Sequence, residues 1–187
     1  KGGPVIGYGF NSIGRYAATS IIQDRMIPKI MNAALEDIYE EDESNIDPFK
    51  INMLLKKNEK PGGHGDRAHA VGAIDMAVWD AVAKIEKKPL YKLLAERYNQ
   101  GKYEEKVYTY GAGGYYYGND DIHQLKDELK SYLDKGFTDV KMKIGGAELN
   151  TDLRRIEAAL ELVDGDGSRL MVDANGRFDL KRALDYG

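Results

Sequence analysis

The chain has 187 residues, 42% of them hydrophobic and 31% charged, which is the balance of a soluble globular protein. With a net charge of -4 and no basic run it is not built to neutralise phosphates, so nucleic acid is not expected as a partner. The absence of cysteine excludes a disulfide framework and a thiolate metal site, and fits a reducing, cytoplasmic setting. No apolar run approaches the ~20 residues needed to cross a bilayer, so no membrane partner is expected either.

The chain opens at Lys1, and Val5 to Phe10 alternates with glycine like one strand of a sheet whose partners lie upstream. Arg15 to Met26 has helical spacing, interrupted near Pro28. Glu40 to Glu43 is an acidic, solvated connection. Asp47-Pro48 is a helix start, with an acceptor at the cap and proline in the first turn. Asn58 to Asp66 holds Pro61 and three glycines and reads as a loop. The next helix places Val71, Ile74, Val78, Ala81 and Ile85 on one face and ends at Lys87-Lys88-Pro89. Leu90, Leu93 and Leu94 predict one short helix.

After Gly101 the pattern changes. Val107 to Tyr110 reads as a strand and Gly111 to Gly118 as a loop of glycine and tyrosine. Asp120 or Asp121 caps a helix with Ile122, Leu125, Leu129 and Leu133, stopped by Gly136. Val140 to Ile144 is the next strand. Thr151 opens a helix with Leu153, Ile156, Leu160 and Val163, ending at Gly165, and Leu170 to Val172 is a third strand. Phe178 to Tyr186 is a helix barely begun, so both ends of the chain read as cut.

Alternating strands and helices predict an α/β fold with a parallel sheet. A doubly wound dinucleotide fold requires G-x-G-x-x-G after its first strand. Here Gly111 and Gly113 fit but Tyr116 holds the third place, and the second strand carries Lys141 and Lys143 where an acid should meet a ribose. A (β/α)₈ barrel fits better, and barrels place their chemistry at the carboxyl ends of strands.

Lys141-Met142-Lys143 is the most informative triplet. Residues two apart on a strand share a face, so both lysines point one way and Val140, Met142 and Ile144 the other. Two buried ammonium groups require compensating anions. A neighbouring cation and a divalent metal disfavour protonation, so one lysine can serve as a neutral base. The same triplet is also compatible with two solvated lysines on the open face of an edge strand. Asp173, in Val172-Asp173-Ala174-Asn175, stands where a barrel strand ends and suits a hard cation; a turn aspartate is the alternative. Asn58 to Gly65, with Lys60 and His64, could close over an anion or be an ordinary surface loop. Tyr115 and its neighbours lie at the end of the first barrel strand, where they line a pocket or pack against the amino-terminal part. His64 and His69 are five apart, which gives no histidine metal site. No G-x-S-x-G or Walker pattern is present.

Ala73-Ile74-Asp75-Met76-Ala77-Val78-Trp79-Asp80, Lys88-Pro89-Leu90 and Leu93-Leu94 resemble the end of the capping domain in enolase superfamily members of the mandelate racemase/muconate lactonizing enzyme type. Lys141-x-Lys143 resembles that family's second-strand base motif and Val172-Asp173-Ala174-Asn175 its third-strand metal motif. Narrower likeness, to the family's D-tartrate dehydratase group, lies in Gly7-Tyr8-Gly9-Phe10-Asn11-Ser12 with Gly14-Arg15-Tyr16, in Asn58 to Gly65, in Ala112 to Tyr117 and in Val140 to Gly146. The resemblance implies an amino-terminal α+β capping domain over residues 1–105, lacking its first strands. Residues 106–187 would be the first three βα units of a (β/α)₇β barrel, incomplete in this chain.

By the same resemblance Lys143 is the base and Lys141 its electrostatic partner. Asp173 is a Mg²⁺ ligand, and Asn175, Tyr115, Lys60 and Asn11 meet the substrate. The implied reaction is hydro-lyase chemistry on a small hydroxy-carboxylate: alpha-proton abstraction, an enediolate, then loss of water. Family members also use further acidic ligands and a histidine acid on later strands, so residues 1–187 alone would be inactive. Racemisation, epimerisation or cycloisomerisation by the same first step is the alternative within enzymes, and a non-catalytic truncated homologue the alternative outside them. A homo-oligomer is a further implication of the family.

Overall fold

A computed structural model describes residues 3–12, 15–60, 65–119 and 121–186. The chain divides into two compact units, Lys1–Glu104 and Glu105–Gly187. The Gly62, Gly63 and His64 part of the expected anion loop, and Asp120 as a cap, lie outside the described residues.

The first unit is helical. Helix α1 (Arg15–Ser20) continues through a wider, π-type turn at Ile21–Met26 into α2 (Ile27–Met31). Pro28 therefore sits inside the helical run near the start of α2, where a missing N–H is tolerated, rather than interrupting it. Helix α3 (Pro48–Lys56) starts as its sequence predicts: the Asp47 carboxylate accepts from the N–H groups of Phe49 (2.8 Å) and Lys50 (3.2 Å). Helix α4 (Asp66–Ile85) is the long central element, and α5 (Leu90–Tyr98) follows a reversal at Lys87, whose φ is +55°. Met26, Ile51, Leu55, Val71 and Ile74 form one core cluster, and Val82, Ala83 and Leu93 a second. The buried face of α4 thus carries Val82 and Ala83, while Ile85, expected inside, is exposed. Trp79 meets Phe49 and Tyr98 edge-on, with ring centroids 5.8 and 6.1 Å away.

Val5 to Phe10 does not form the expected strand; Tyr39–Ile46 is the single β-bridge among the described residues of this unit. The alternating glycines serve a different end. A Cβ on Gly7 would fall 1.9 Å from the Ala77 carbonyl oxygen, and one on Gly9 2.0 Å from that of Ala73. The segment lies directly on the alanine stripe of α4, an approach that only glycine permits. Tyr8 N–H donates to Asp80 Oδ2 at 2.7 Å and the Lys84 ammonium to the Ile6 carbonyl at 2.9 Å, which satisfies backbone groups that a strand would have paired.

The second unit is a parallel sheet with strands in chain order: β1 (Gly111–Ala112), β2 (Val140–Lys143) and β3 (Leu170–Asp173). Helix α6 (Asp121–Asp134) joins β1 to β2, α7 (Leu149–Glu161) joins β2 to β3, and α8 (Leu180–Tyr186) follows. Leu125, Leu129, Val140, Met142, Ile144, Ala159 and Val163 form the core between α6, α7 and one face of the sheet. The first strand is displaced from its expected place. Val107 and Tyr108 are exposed, and the ladder begins with Gly111 opposite Val140. Gly111 is glycine because a Cβ there would lie 2.6 Å from Cβ of Tyr132 on α6. What reads as a loop signal is a strand with a helix pressed against it. Helix α7 also starts two residues before Thr151, and its Leu153 is exposed where burial was expected.

Candidate active site

The alternation of β2 decides which face carries chemistry. Val140 and Met142 are wholly buried among α6 and α7, so Lys141 and Lys143 emerge on the other side of the sheet. Strand β3 pairs in parallel with Lys143 opposite Asp173, which brings residues thirty positions apart to one sheet end. The Lys143 ammonium lies 2.6 Å from Asp173 Oδ2 and the Lys141 ammonium 3.1 Å from the same oxygen. Side-chain exposures of 13% for Lys143, 23% for Lys141 and 29% for Asp173 place the three in a partly screened cluster and not in bulk solvent.

The turn after β3 completes the cluster. Asn175 has φ of +51°, a left-handed conformation that asparagine tolerates, and Gly176 follows at +69°. This turn lets the Asn175 N–H donate to Asp173 Oδ1 at 2.8 Å while its side-chain Oδ1 accepts from Lys143 at 2.9 Å. The Lys143 hydrogen bond, then the Asn175 N–H and then Lys141 hold the Asp173 carboxyl far below the usual carboxylate range. In return Asp173 raises the pKa of Lys141. The Tyr110 ring lies 5.7 Å from the Lys141 nitrogen and the exposed Tyr115 ring 5.6 Å from that of Lys143. Two cations against one anion leave the mouth net positive, which suits a carboxylate ligand.

Of the expected site residues, Lys141, Lys143, Asp173 and Asn175 converge directly and Tyr115 stands beside them. Lys60 and Asn11 belong to the first unit. The Lys60 carbonyl accepts from Arg67 at 3.1 Å, and the Asn11 amide donates to the His69 carbonyl of α4 at 3.1 Å. Among the described residues no cluster of three or more His, Asp and Glu side chains is poised to hold a metal. Asp173 fits Mg²⁺ as one hard oxygen donor at a strand end, and completion of a coordination shell requires donors beyond it.

Sequence reasoning overlooked the layer beneath this cluster. Asp152 and Arg155 of α7 are both wholly buried. Glu128 of α6 accepts from Gly114 N–H (2.7 Å), from the Tyr132 hydroxyl (2.8 Å) and from the Tyr117 hydroxyl. The signal for the α7 pair was present: Asp152, Arg155, Ala159 and Val163 recur at helical spacing, so two charged residues share the face that meets the sheet.

The two units match one family of enzymes that cap a barrel. The mandelate racemase/muconate lactonizing enzyme amino-terminal domain profile matches residues 3–95, and the enolase carboxyl-terminal domain-like profile residues 124–187. The chain is 34% identical to the arabinonate dehydratase of Saccharolobus solfataricus, over 97% of this chain and 45% of that protein. It is 32% identical to the L-talarate/galactarate dehydratase of Salmonella typhimurium, over 81% of this chain and 36% of that protein. Among solved structures, a racemase from Streptomyces coelicolor with bound magnesium superposes with a TM-score of 0.69 at 26% identity, over 97% of this chain and 50% of the other. The fold is therefore a capping domain followed by the opening units of a barrel. The chain belongs to the mandelate racemase/muconate lactonizing enzyme branch of the enolase superfamily. It spans about half, or less, of the length of these relatives.

Proposed function

We propose that the intact protein is a Mg²⁺-dependent hydro-lyase that dehydrates a small hydroxy acid, with tartrate as the substrate. The observation that carries this reading is the convergence of two lysine ammonium groups on one carboxylate oxygen at the ends of adjacent parallel strands. The similarity to an arabinonate dehydratase and to an L-talarate/galactarate dehydratase supports acid-sugar dehydration, and the Streptomyces structure with bound magnesium supports that ion. Tartrate itself rests on the narrower resemblance in Gly7 to Ser12, Asn58 to Gly65, Ala112 to Tyr117 and Val140 to Gly146. A homo-oligomer and a cytoplasmic setting belong to the same reading, the first from the family and the second from the cysteine-free composition.

Asp173 would supply one ligand of the Mg²⁺ site. The bound ion supplies positive charge at the substrate carboxylate, which lowers the cost of placing a second negative charge there. Lys143, after its ammonium gives up a proton to solvent, takes as the neutral amine the proton from the carbon alpha to that carboxylate. The electron pair left behind moves into the carboxylate to give an enediolate. The Lys141 ammonium stabilises that developing charge, the most effective use of a fixed cation in such a step. Asn175 holds Lys143 through its side-chain oxygen and Asp173 through its N–H, so one turn orients both groups. Collapse of the enediolate breaks the beta carbon–oxygen bond, and the hydroxyl leaves as water with a proton from the histidine acid that the family resemblance implies on a later strand. The resulting enol becomes the keto acid. Tyr115 beside Lys143 would fix the remainder of the substrate.

Incubation of the intact protein with Mg²⁺ and the tartrate stereoisomers in deuterated water tests this directly. Keto acid from one stereoisomer is the expected product. Keto acid from aldonates or aldarates but not tartrate would replace the substrate, and no keto acid from any hydroxy acid would remove the dehydratase reading. The match to a racemase sustains one competing outcome: inverted, deuterated substrate without keto acid.

A further inference from the structure

We infer that the buried Arg155–Asp152 pair of α7 is the positioning element for Lys143. This deepens, and rests on, the reading of Lys143 as the base.

The pair is unusual in its surroundings. Both side chains are wholly buried, where charge is costly unless its hydrogen bonds are satisfied. Yet they are a poor ion pair: the Arg155 Nε lies 3.9 Å from Asp152 Oδ1 and has no hydrogen-bond partner among the described residues. Apart from Asp121 of α6 and the Tyr186 hydroxyl of α8, which donates to Asp152 Oδ2 at 2.8 Å, their bonds go to the two loops that flank Lys143. One guanidinium nitrogen of Arg155 donates to the carbonyls of Gly114 (2.9 Å) and Tyr115 (3.1 Å), and the other pairs with Asp121. The Gly114 carbonyl is also the acceptor for the Lys143 N–H, at 3.1 Å. Asp152 Oδ2 accepts from the Gly145 N–H at 2.7 Å, two residues beyond Lys143. Its Oδ1 accepts from the Tyr116 hydroxyl at 2.6 Å, and that hydroxyl accepts from the Gly146 N–H at 2.8 Å. Arg155 also stacks on the Tyr116 ring, 4.3 Å from its centroid.

Lys143 is therefore gripped on both sides of its own backbone. Arg155 fixes the carbonyl that holds its N–H, and Asp152 fixes the turn that follows it. The Tyr115 backbone, whose ring faces the Lys143 ammonium, is held by the same guanidinium. Neither α7 side chain touches the cluster at Asp173, so the pair acts through the backbone of β2 and the β1–α6 loop. An apolar pair of similar volume would fill the space, but could not set the height and direction of the lysine. Displacement of a reacting group by ~1 Å can cost about 100-fold in rate.

The test uses the intact protein carrying Arg155→Lys, which keeps the charge but not the planar fork, and Tyr116→Phe, which removes one hydroxyl from the network. Three quantities are read: thermal unfolding, the kcat and KM of alpha-proton exchange with a hydroxy acid, and the acetylation of Lys143 relative to Lys130 by mass spectrometry. A folded Arg155→Lys protein is expected with KM little changed, kcat lowered about 10–100-fold and an altered Lys143:Lys130 ratio. A folded variant with wild-type kcat and ratio overturns the inference. So does a kcat loss that tracks lost thermal stability while the ratio stays fixed. If Arg155→Lys does not fold, Tyr116→Phe carries the same criteria with a smaller expected loss in kcat. Absence of exchange in the wild type would remove the proposed function alone; the acetylation ratio would then still decide whether Arg155 positions Lys143.

Discussion

Lys143 and Asp173 stand opposite one another across the β2–β3 ladder, and the ammonium of the first lies 2.6 Å from a carboxylate oxygen of the second. A helix separates them in the chain, so their meeting is a product of the strand-helix-strand crossover and its parallel register. An ion pair at a strand end is a modest contribution to stability, but this one stands at the carboxyl ends of two adjacent parallel strands, the end at which barrel enzymes carry their chemistry.

Replacement of Lys143 by alanine in the intact protein is expected to abolish exchange of the substrate alpha proton with deuterated solvent, followed by proton NMR. Binding of the hydroxy acid should persist, because Lys141 and Asp173 remain. Exchange at the wild-type rate would remove Lys143 from the base role.

Asp173→Asn keeps the shape of the side chain and removes its charge. Mg²⁺ affinity measured by calorimetry is expected to fall by at least about 10-fold, since a hard divalent ion favours a charged oxygen donor. Mg²⁺ affinity equal to that of the wild type would count against Asp173 as a ligand.

Glu128 carries a pH dependence. Burial raises its pKa, but donation from Tyr117, the Gly114 N–H and Tyr132 outweighs that and leaves the value below the ordinary 4.5. A group whose folded pKa is depressed stabilises the fold above its unfolded pKa and loses that contribution as pH falls through the folded value. Glu128→Gln is therefore expected to cost about 1–3 kcal/mol at neutral pH in denaturant unfolding. The gap from the wild type should narrow as pH drops below about 4.5. A gap independent of pH between neutrality and acid would show that the charge of Glu128 is not what holds the loop.

Gly9→Ala tests the contact that displaced a strand. The added Cβ would meet the Ala73 carbonyl oxygen of α4, which is backbone and cannot swing aside. Destabilisation of about 1–3 kcal/mol is expected in chemical unfolding of the intact protein. A neutral effect would mean that the segment does not lie against α4 in solution.

Local signals carried the elements they control. Asp47-Pro48 specified the start of α3 because the cap and the missing N–H act within one turn. The alternation in Lys141-Met142-Lys143 specified two faces because pleat geometry is local, and the buried Val140 and Met142 bear that out. Glycine was where such reading failed. Gly7, Gly9 and Gly111 resemble strand or loop punctuation in the sequence, yet each is required by a helix pressed against it from far along the chain.

By itself, then, the sequence determined the α/β alternation, the lysine face of β2 and the acid at the end of β3, because each depends on residues within one element. Only the tertiary structure decided that Lys141, Lys143 and Asp173 share one oxygen, and that Asp152 and Arg155 are buried beneath them. Those facts depend on strand register and on which face of α7 meets the sheet. Register and helix docking are set by packing across the whole unit, a long-range property that no short window of residues contains.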